Sequence, residues 1–208
     1  TSGSGTYEVR MTMNPNGTIN YKQYKGTTLL SDSTAALTAL APNGVIIVSN
    51  GNLRLHGTLN GQATVGGVGG TGVGNVYIDG DCLLAHDPST NPNSSDMLGI
   101  VADNNVTIPL PAGYPTTPAA TNVNIQGSIF ARTGTFSAAL SPTMGKLGAV
   151  TVTGSLVSNA VGGFAAGDAS GNILYGYQNH FRFDERLLIN APPSYPNTSL
   201  FEVLSWKE

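Results

Sequence analysis

Cysteine occurs once in the 208 residues, at Cys82, so no internal disulfide can staple this chain. Charge is also scarce. Only 10% of residues are Asp, Glu, Lys or Arg, with nine basic side chains against twelve acidic and a net charge of -3. Such a surface has no general attraction for phosphate backbones or anionic lipids. No apolar run approaches the roughly 18 residues of a membrane-spanning helix, and no basic stretch followed by an apolar one marks a secretory leader. Helical periodicity is nearly absent, Ser33 to Leu40 being the best short candidate. The three histidines His56, His86 and His180 stand far from each other and from Cys82, without metal-ligand spacing. Cys82 itself falls in an apolar alternation and reads as a buried, inert thiol.

What is abundant is glycine, 27 residues of it, together with Thr and Asn, the composition of many short strands and tight turns. One pattern recurs. In Asn52-Leu53-Arg54-Leu55-His56-Gly57 apolar residues fill alternate positions and a glycine follows. Versions return at Val76-Tyr77-Ile78-Asp79-Gly80, Val123-Asn124-Ile125-Gln126-Gly127 and Val150-Thr151-Val152-Thr153-Gly154, with a weaker copy at Val106-Thr107-Ile108. Alternation gives each strand one dry and one wet face. The glycines lie about 23, 47 and 27 residues apart, the spacing of stacked coils. A unit this short cannot bury its own apolar face, so neighbours must stack. The expected fold is therefore all-β, a right-handed parallel β-helix (β-solenoid) with an N-terminal hairpin and a C-terminal aromatic and Pro-rich cap.

Four segments follow along the chain. Residues 1–5, Thr-Ser-Gly-Ser-Gly, read as a linker or expression scar, which leaves room for a targeting or anchoring segment upstream. Residues 6–41 hold the hairpin, with Asn14-Pro15-Asn16-Gly17 as its turn and Tyr7, Tyr21 and Tyr24 placed to cover the end of the stack. Residues 42–160 form the solenoid, where the run Val45-Ile46-Ile47-Val48 suits a strand covered on both sides. Residues 161–208 supply turns at Gly162-Gly163 and Gly167 to Gly171, the aromatic cap, an extended Pro192-Pro193 path and a final strand from Leu200 to Trp206.

Chemistry-bearing candidates are few. Gly66 to Gly74 lacks the Lys-Ser/Thr ending and following helix of a phosphate loop, the helix behind a dinucleotide fingerprint, and the Asp of calcium-binding nonapeptides; it reads as a turn. Asp79 and Asp81 should share a wet face, with Asp103 on a nearby level, which makes these three the weak candidates for a cation site. No cofactor is expected. Asp184 and Arg186 should form a structural network near Tyr177. Two polar excursions, Asp87 to Asp96 and Pro109 to Pro118, should project as loops and offer contact surfaces. The candidate partner-binding residues are Asp87, Asn91, Asn93, Asp96, Tyr114, Tyr177 and Arg182.

Several segments together carry a family likeness. They are Gly44-Val45-Ile46-Ile47-Val48, Val76 to Asp81, Asp96 to Ala102, Gly176-Tyr177 with Phe181 to Leu187, Pro192-Pro193 with Tyr195-Pro196, and the ending Ser205-Trp206-Lys207-Glu208. The combination resembles an uncharacterised bacterial domain of extracytoplasmic proteins similar to PilX-type pilus assembly proteins and minor pilins. The resemblance implies a β-solenoid ectodomain anchored through a preceding pilin-like helix, and it implies no catalytic residues.

The expected function is a non-enzymatic structural or adhesive ectodomain of a type IV pilus-like or cell-surface assembly, extracytoplasmic in location. Its partners would be other pilus or cell-surface proteins, an extracellular glycan, or a host or abiotic surface, with the membrane reached only through an upstream anchor. Two alternatives stay open. One is a polysaccharide-acting β-helix enzyme working through Asp79 and Asp81. The other is a DNA-binding tip domain using Arg54, Arg132, Lys146 and Arg182 with Tyr177 and Phe181, which the charge balance disfavours.

Overall fold

A computed structural model describes residues 5–111 and 122–196. The described chain is mostly β. Its strands are β1 (Tyr7–Met13), β2 (Thr18–Lys25), β3 (Thr28–Ala36), β4 (Val45–Ser49), β5 (Gly51–Leu59), β6 (Gln62–Val68), β7 (Val76–Leu84) and β8 (Met97–Ala102). They continue as β9 (Val106–Ile108), β10 (Val123–Gln126), β11 (Ser128–Ala131), β12 (Phe136–Ala138), β13 (Lys146–Gly154), β14 (Leu156–Ser158), β15 (Ala165–Gly167) and β16 (Ile173–Phe183). One helical turn, α1 (Leu37–Leu40), and two 3-10 turns at Pro142–Met144 and Glu185–Leu188 complete the elements.

These strands form two sheets. The larger has eleven strands in the order β15-β16-β13-β10-β7-β5-β1-β2-β3, with β9 joining β7 and β12 joining β9; the smaller has five, β14-β11-β8-β6-β4, all parallel. The expected right-handed parallel β-helix is overturned. The larger sheet is mixed, since β1, β2 and β3 pair antiparallel and so do β15 and β16, and the two sheets do not close into a solenoid. Period-2 alternation says which face of a strand is dry but not which way its neighbour runs. Where a tight turn reverses the chain, as at Asn14–Gly17, pairing is antiparallel. Gly17 takes φ +80° there, and its N–H donates to the Asn14 carbonyl.

Two further expectations are corrected. Ser33 to Ala36 continue β3, leaving only Leu37–Leu40 helical, because pairing with β2 through Thr18↔Ala36 overrides the weak helix preference of a short Ala-rich stretch. The aromatic segment is not a cap: Tyr175 to Phe183 belong to β16, which lies beside β13 in the large sheet, and Phe181 meets Phe164 edge-on at 5.9 Å. The final strand expected at Leu200 to Trp206 lies outside the described residues, as does Tyr114.

The core fills the space between the sheets. From the large sheet come Met11, Leu53, Leu55, Val76, Ile78, Cys82, Ile125, Val150 and Val152; from the small one Ala63, Val65, Leu98, Ile100 and Ile129; all are buried. Parallel registry stacks like on like: Leu53 beside Val76, Leu55 beside Ile78, Val123 beside Val150, Ile125 beside Val152. Full burial of each such side chain stabilises by about 1.5–3 kcal/mol. The recurrent glycines are not all equivalent. A register shift between Leu55 and Gly57 sets Gly57 opposite Cys82 rather than Gly80, so Asp79 to Asp81 bulge from the β5–β7 ladder. Run Val45–Ser49 is an edge strand of the small sheet with Ile47 exposed, not a strand covered on both sides.

Candidate functional site

The wet face of the large sheet brings charge together across strands far apart in sequence. Arg10 on β1, Arg54 on β5 and Tyr77 on β7 stand side by side in register. Glu8 accepts from Arg10 Nε at 2.7 Å and lies 3.8 Å from Arg54. Arg54 in turn grips Asp79 with two nearly parallel bonds, Nε to Oδ2 at 2.7 Å and Nη2 to Oδ1 at 2.5 Å. The guanidinium of Arg54 lies 5.2 Å from the Tyr77 ring centroid and that of Arg10 4.3 Å from Tyr24. Partial burial works against the Arg54 charge, but Asp79 and Glu8 outweigh it and push its pKa up.

Beside this array opens a cleft of about 720 Å³ whose walls include Arg10, Arg54, Asp79, Asp81, Leu110 and Tyr177. Asp81 points its Oδ1 at the Asn124 backbone N–H, 2.7 Å away, while Asp79 is held by Arg54. The two carboxylates therefore have separate partners. Asp103 is elsewhere, accepting from Arg132 Nε at 2.7 Å and from the Gly69 N–H at 2.9 Å, which tethers the glycine-rich turn. Those bonds hold its carboxyl below the ordinary range. Asp79, Asp81 and Asp103 thus do not converge, and among the described residues no group of three His, Cys, Asp or Glu side chains does. His56 lies 3.3 Å from Thr12 Oγ1, and Cys82 is fully buried, its thiol pushed far up by desolvation.

A second surface forms where the loop after β7 meets the segment after β16. Asp96 is its anchor. Oδ1 accepts from the Gly61 N–H at 2.9 Å, and Oδ2 from the His86 backbone N–H at 3.0 Å with His86 Nδ1 at 2.8 Å. Arg186 Nη1 donates to the Ser94 and Asp96 carbonyls at 2.7 and 3.0 Å while its other donors engage Asp184. Burial raises the pKa of Asp87, but Ser89, Gln126 and the charge of Arg182 outweigh it and lower it overall. Asn91, Asn93 and Arg182 are exposed on this surface, beside a cavity of about 580 Å³ that Pro88, Pro92 and Phe183 help to line. Asp96 and Tyr177, by contrast, are 3% and 2% exposed, so neither can be presented to a partner. Arg186, after β16, packs over Asp96, while Tyr177 lies within β16 with its N–H donating to the Phe164 carbonyl.

The Glu8–Arg10–Arg54–Asp79 array has no local sequence signature, because its members sit on three strands and only registry joins them. An asparagine ladder was equally hidden. Asn52 Oδ1 accepts from Asn75 N and Nδ2 at 3.0 and 3.1 Å; Asn75 Oδ1 accepts from Asn105 N at 3.2 Å; Asn105 Oδ1 accepts from Thr135 N at 3.0 Å. The usable signal was an Asn just before each of the strands β7 and β9 and near the start of β5.

No protein-family model matches the chain, and no curated protein and no solved structure matches it either.

Proposed function

We propose that this chain is a non-catalytic structural and adhesive domain of an extracytoplasmic assembly, pilus-like or otherwise displayed on a cell surface. The observation that carries this reading is the asparagine ladder. It links four successive chain levels through side chains that accept backbone N–H groups, so the edge of the core resists shear without a disulfide. A stiff body of this kind presents Asn91, Asn93 and Arg182 on a loop surface braced by Asp96 and Arg186. Its partners would be other surface proteins, an extracellular glycan, or a host or abiotic surface.

The test is retention of the labelled chain on a glycan array and on abiotic beads. Retention that falls several-fold in an Asn91→Ala/Asn93→Ala/Arg182→Ala variant with an unchanged circular dichroism spectrum is the expected result. Equal retention of the variant on every surface would overturn it.

A second reading, a polysaccharide-acting enzyme, is favoured by one observation: Arg54, Asp79 and Asp81 border a single open cleft. Glycan cleavage by the chain that disappears in Asp79→Ala or Asp81→Ala would install that reading instead. Binding to duplex DNA finds little support, since Arg54 and Arg132 are each committed to a carboxylate. A flat gel shift at low ionic strength removes it.

A further inference from the structure

Strand β16 is only partly covered on its outer side. β15 pairs with it from Ile173 to Gly176, and the Tyr177 N–H donates to the Phe164 carbonyl. Past Tyr177, among the described residues, no strand lies on that side, while β13 runs along the other as far as Phe183. The backbone groups of this stretch can be assigned by parity. The N–H groups of Gly176 and Asp184 donate to the carbonyls of Gly145 and Gly154, on the β13 side. Alternation therefore turns the N–H and C=O groups of Asn179, Phe181 and Phe183 toward the open edge.

The core is open at the same place. Phe181 shares its face with its neighbour in register, the buried Val152, and Leu156 does so with the buried Ile129. An edge-to-face column runs through Phe136, Phe164 and Phe181, with exposure rising from 1% through 7% to 49%. Edge strand β3, by contrast, has a bulge against β2 and an Asp32 paired with Lys22, devices that discourage further pairing. The stretch Gln178–Phe183 has no bulge, lysine, proline or acid.

We propose that Gln178–Phe183 pairs with the same stretch of a second copy about a two-fold axis at Phe181. Such an axis makes the two strands antiparallel and the contact self-complementary. In this register Phe181 faces Phe181 and Asn179 faces Phe183, so the residues with open backbone groups are matched with each other. An axis at His180 would set Phe183 against Tyr177, whose N–H is already used, and one at Arg182 would set Asn179 against Glu185, in a 3-10 turn. Side chains fit the same register. The aromatic column continues across the axis, and Arg182 stands opposite His180 of the second copy, where a neutral imidazole can accept a guanidinium N–H. After Phe183 the chain turns back, Arg186 reaching the carbonyls before β8, two strands inward from β14, which leaves the approach clear. Continued outward, the register brings Leu174 of one copy toward Leu188 of the other. Leu156, Leu174, Phe181, Phe183 and Leu188 together leave on the order of 500 Å² of apolar surface open. With the exposed polar residues of the stretch, the area approaches the roughly 800 Å² per partner of a standard interface. This inference stands apart from the adhesive reading.

Light scattering on a dilution series of the full chain measures the association. The expected result is twice the monomer mass at high concentration, falling to the monomer on dilution. Phe181→Lys sets two charges at the axis, and Asn179→Pro removes an open-edge N–H without removing a bond to β13. Each should raise the dimer dissociation constant roughly tenfold or more, with a circular dichroism spectrum that shows the variant folded. Cys82 is fully buried, so an introduced thiol reports alone. Under mild oxidation Phe181→Cys should cross-link several-fold faster than His180→Cys, because position 181 alone meets itself, at a Cα separation of about 5.5 Å that a disulfide can bridge. A chain that stays monomeric at several hundred micromolar overturns the proposal. So does a dimer that persists in both folded variants, or equal cross-linking at the two positions. Assembly that continues past the dimer would place the contact on another edge, such as β3 or β14, and overturn it as well.

Discussion

Arg54 holds both carboxylate oxygens of Asp79, through Nε and Nη2, although 25 residues separate the two in sequence. The pair is a product of strand registry. Arg54 lies opposite Tyr77, two positions before Asp79, and the bulge that follows turns the carboxylate back toward it. The same registry places Glu8 3.8 Å from the arginine on its other side.

Because both side chains are about one-quarter exposed, solvent screening limits what this pair contributes to stability. A double-mutant cycle with Arg54→Ala and Asp79→Ala should return a coupling of about 0.5–1 kcal/mol, the upper part of the surface range that bidentate geometry allows. Urea denaturation at low and high salt measures it. The coupling should shrink with salt, and a value of zero at low salt would mean the grip is absent in solution.

Asn75 has a different standing, as the middle of the ladder. Asn75→Ala leaves the Asn105 N–H without its acceptor and Asn52 Oδ1 with only the backbone N–H of residue 75 as donor. Stranding partly buried backbone groups in this way costs about 1–3 kcal/mol. Chemical denaturation provides the number, and hydrogen exchange should show faster amide exchange at Asn105. Substitution of the exposed Asn91 should be neutral within about 0.5 kcal/mol.

Acid should act through Asp103. Its folded-state pKa lies below the ordinary 3.8 because Arg132, then the Gly69 N–H, favour the charged form. A carboxylate depressed on folding contributes stability that is present above the unfolded value and is lost as pH falls through the lower folded value. The gap in urea midpoint between the native chain and Asp103→Asn should therefore be constant from pH 7 to about pH 5 and close below pH 3.8. A gap that widened in acid would contradict the assignment.

Backbone geometry supplies a fourth outcome. Gly57 has φ +107°, and a methyl group there would run into the Met13 carbonyl oxygen on the neighbouring strand. Gly57→Ala should cost about 3 kcal/mol or more, strain and overlap acting together. At Gly70 nothing lies within 4 Å and φ is not positive, so Gly70→Ala should stay within about 0.5 kcal/mol. Thermal melts of the two variants decide it.

Strand content and the dry faces were legible because burial follows local alternation. Leu53, Leu55, Val76, Ile78, Val123, Ile125, Val150 and Val152 all face the core as their spacing indicates. Direction of pairing was not legible, since it depends on how each connection returns the chain; that is why a mixed sheet replaced the uniform parallel one. The glycine set misled at Gly80, where a bulge displaces the register by a step that a repeat count cannot register. Among the candidate residues, Asp87 and Arg182 do come near one another, as the charge on one acting at the other shows. Burial of Asp96 under Arg186, 90 residues away, leaves no mark on local polarity, and an aromatic residue in an alternating strand such as Tyr177 can face either way.

Several parallel partners lie only about one excursion apart, as where Leu53 meets Val76 and Val123 meets Val150, while Cys82 and Ile125 pair across 43 residues. Closing such loops carries a modest entropic cost that grows slowly with their length. Pairs joined by such short loops can accordingly form early, and the outer strands β3 and β15 of the large sheet should fray before the central ones.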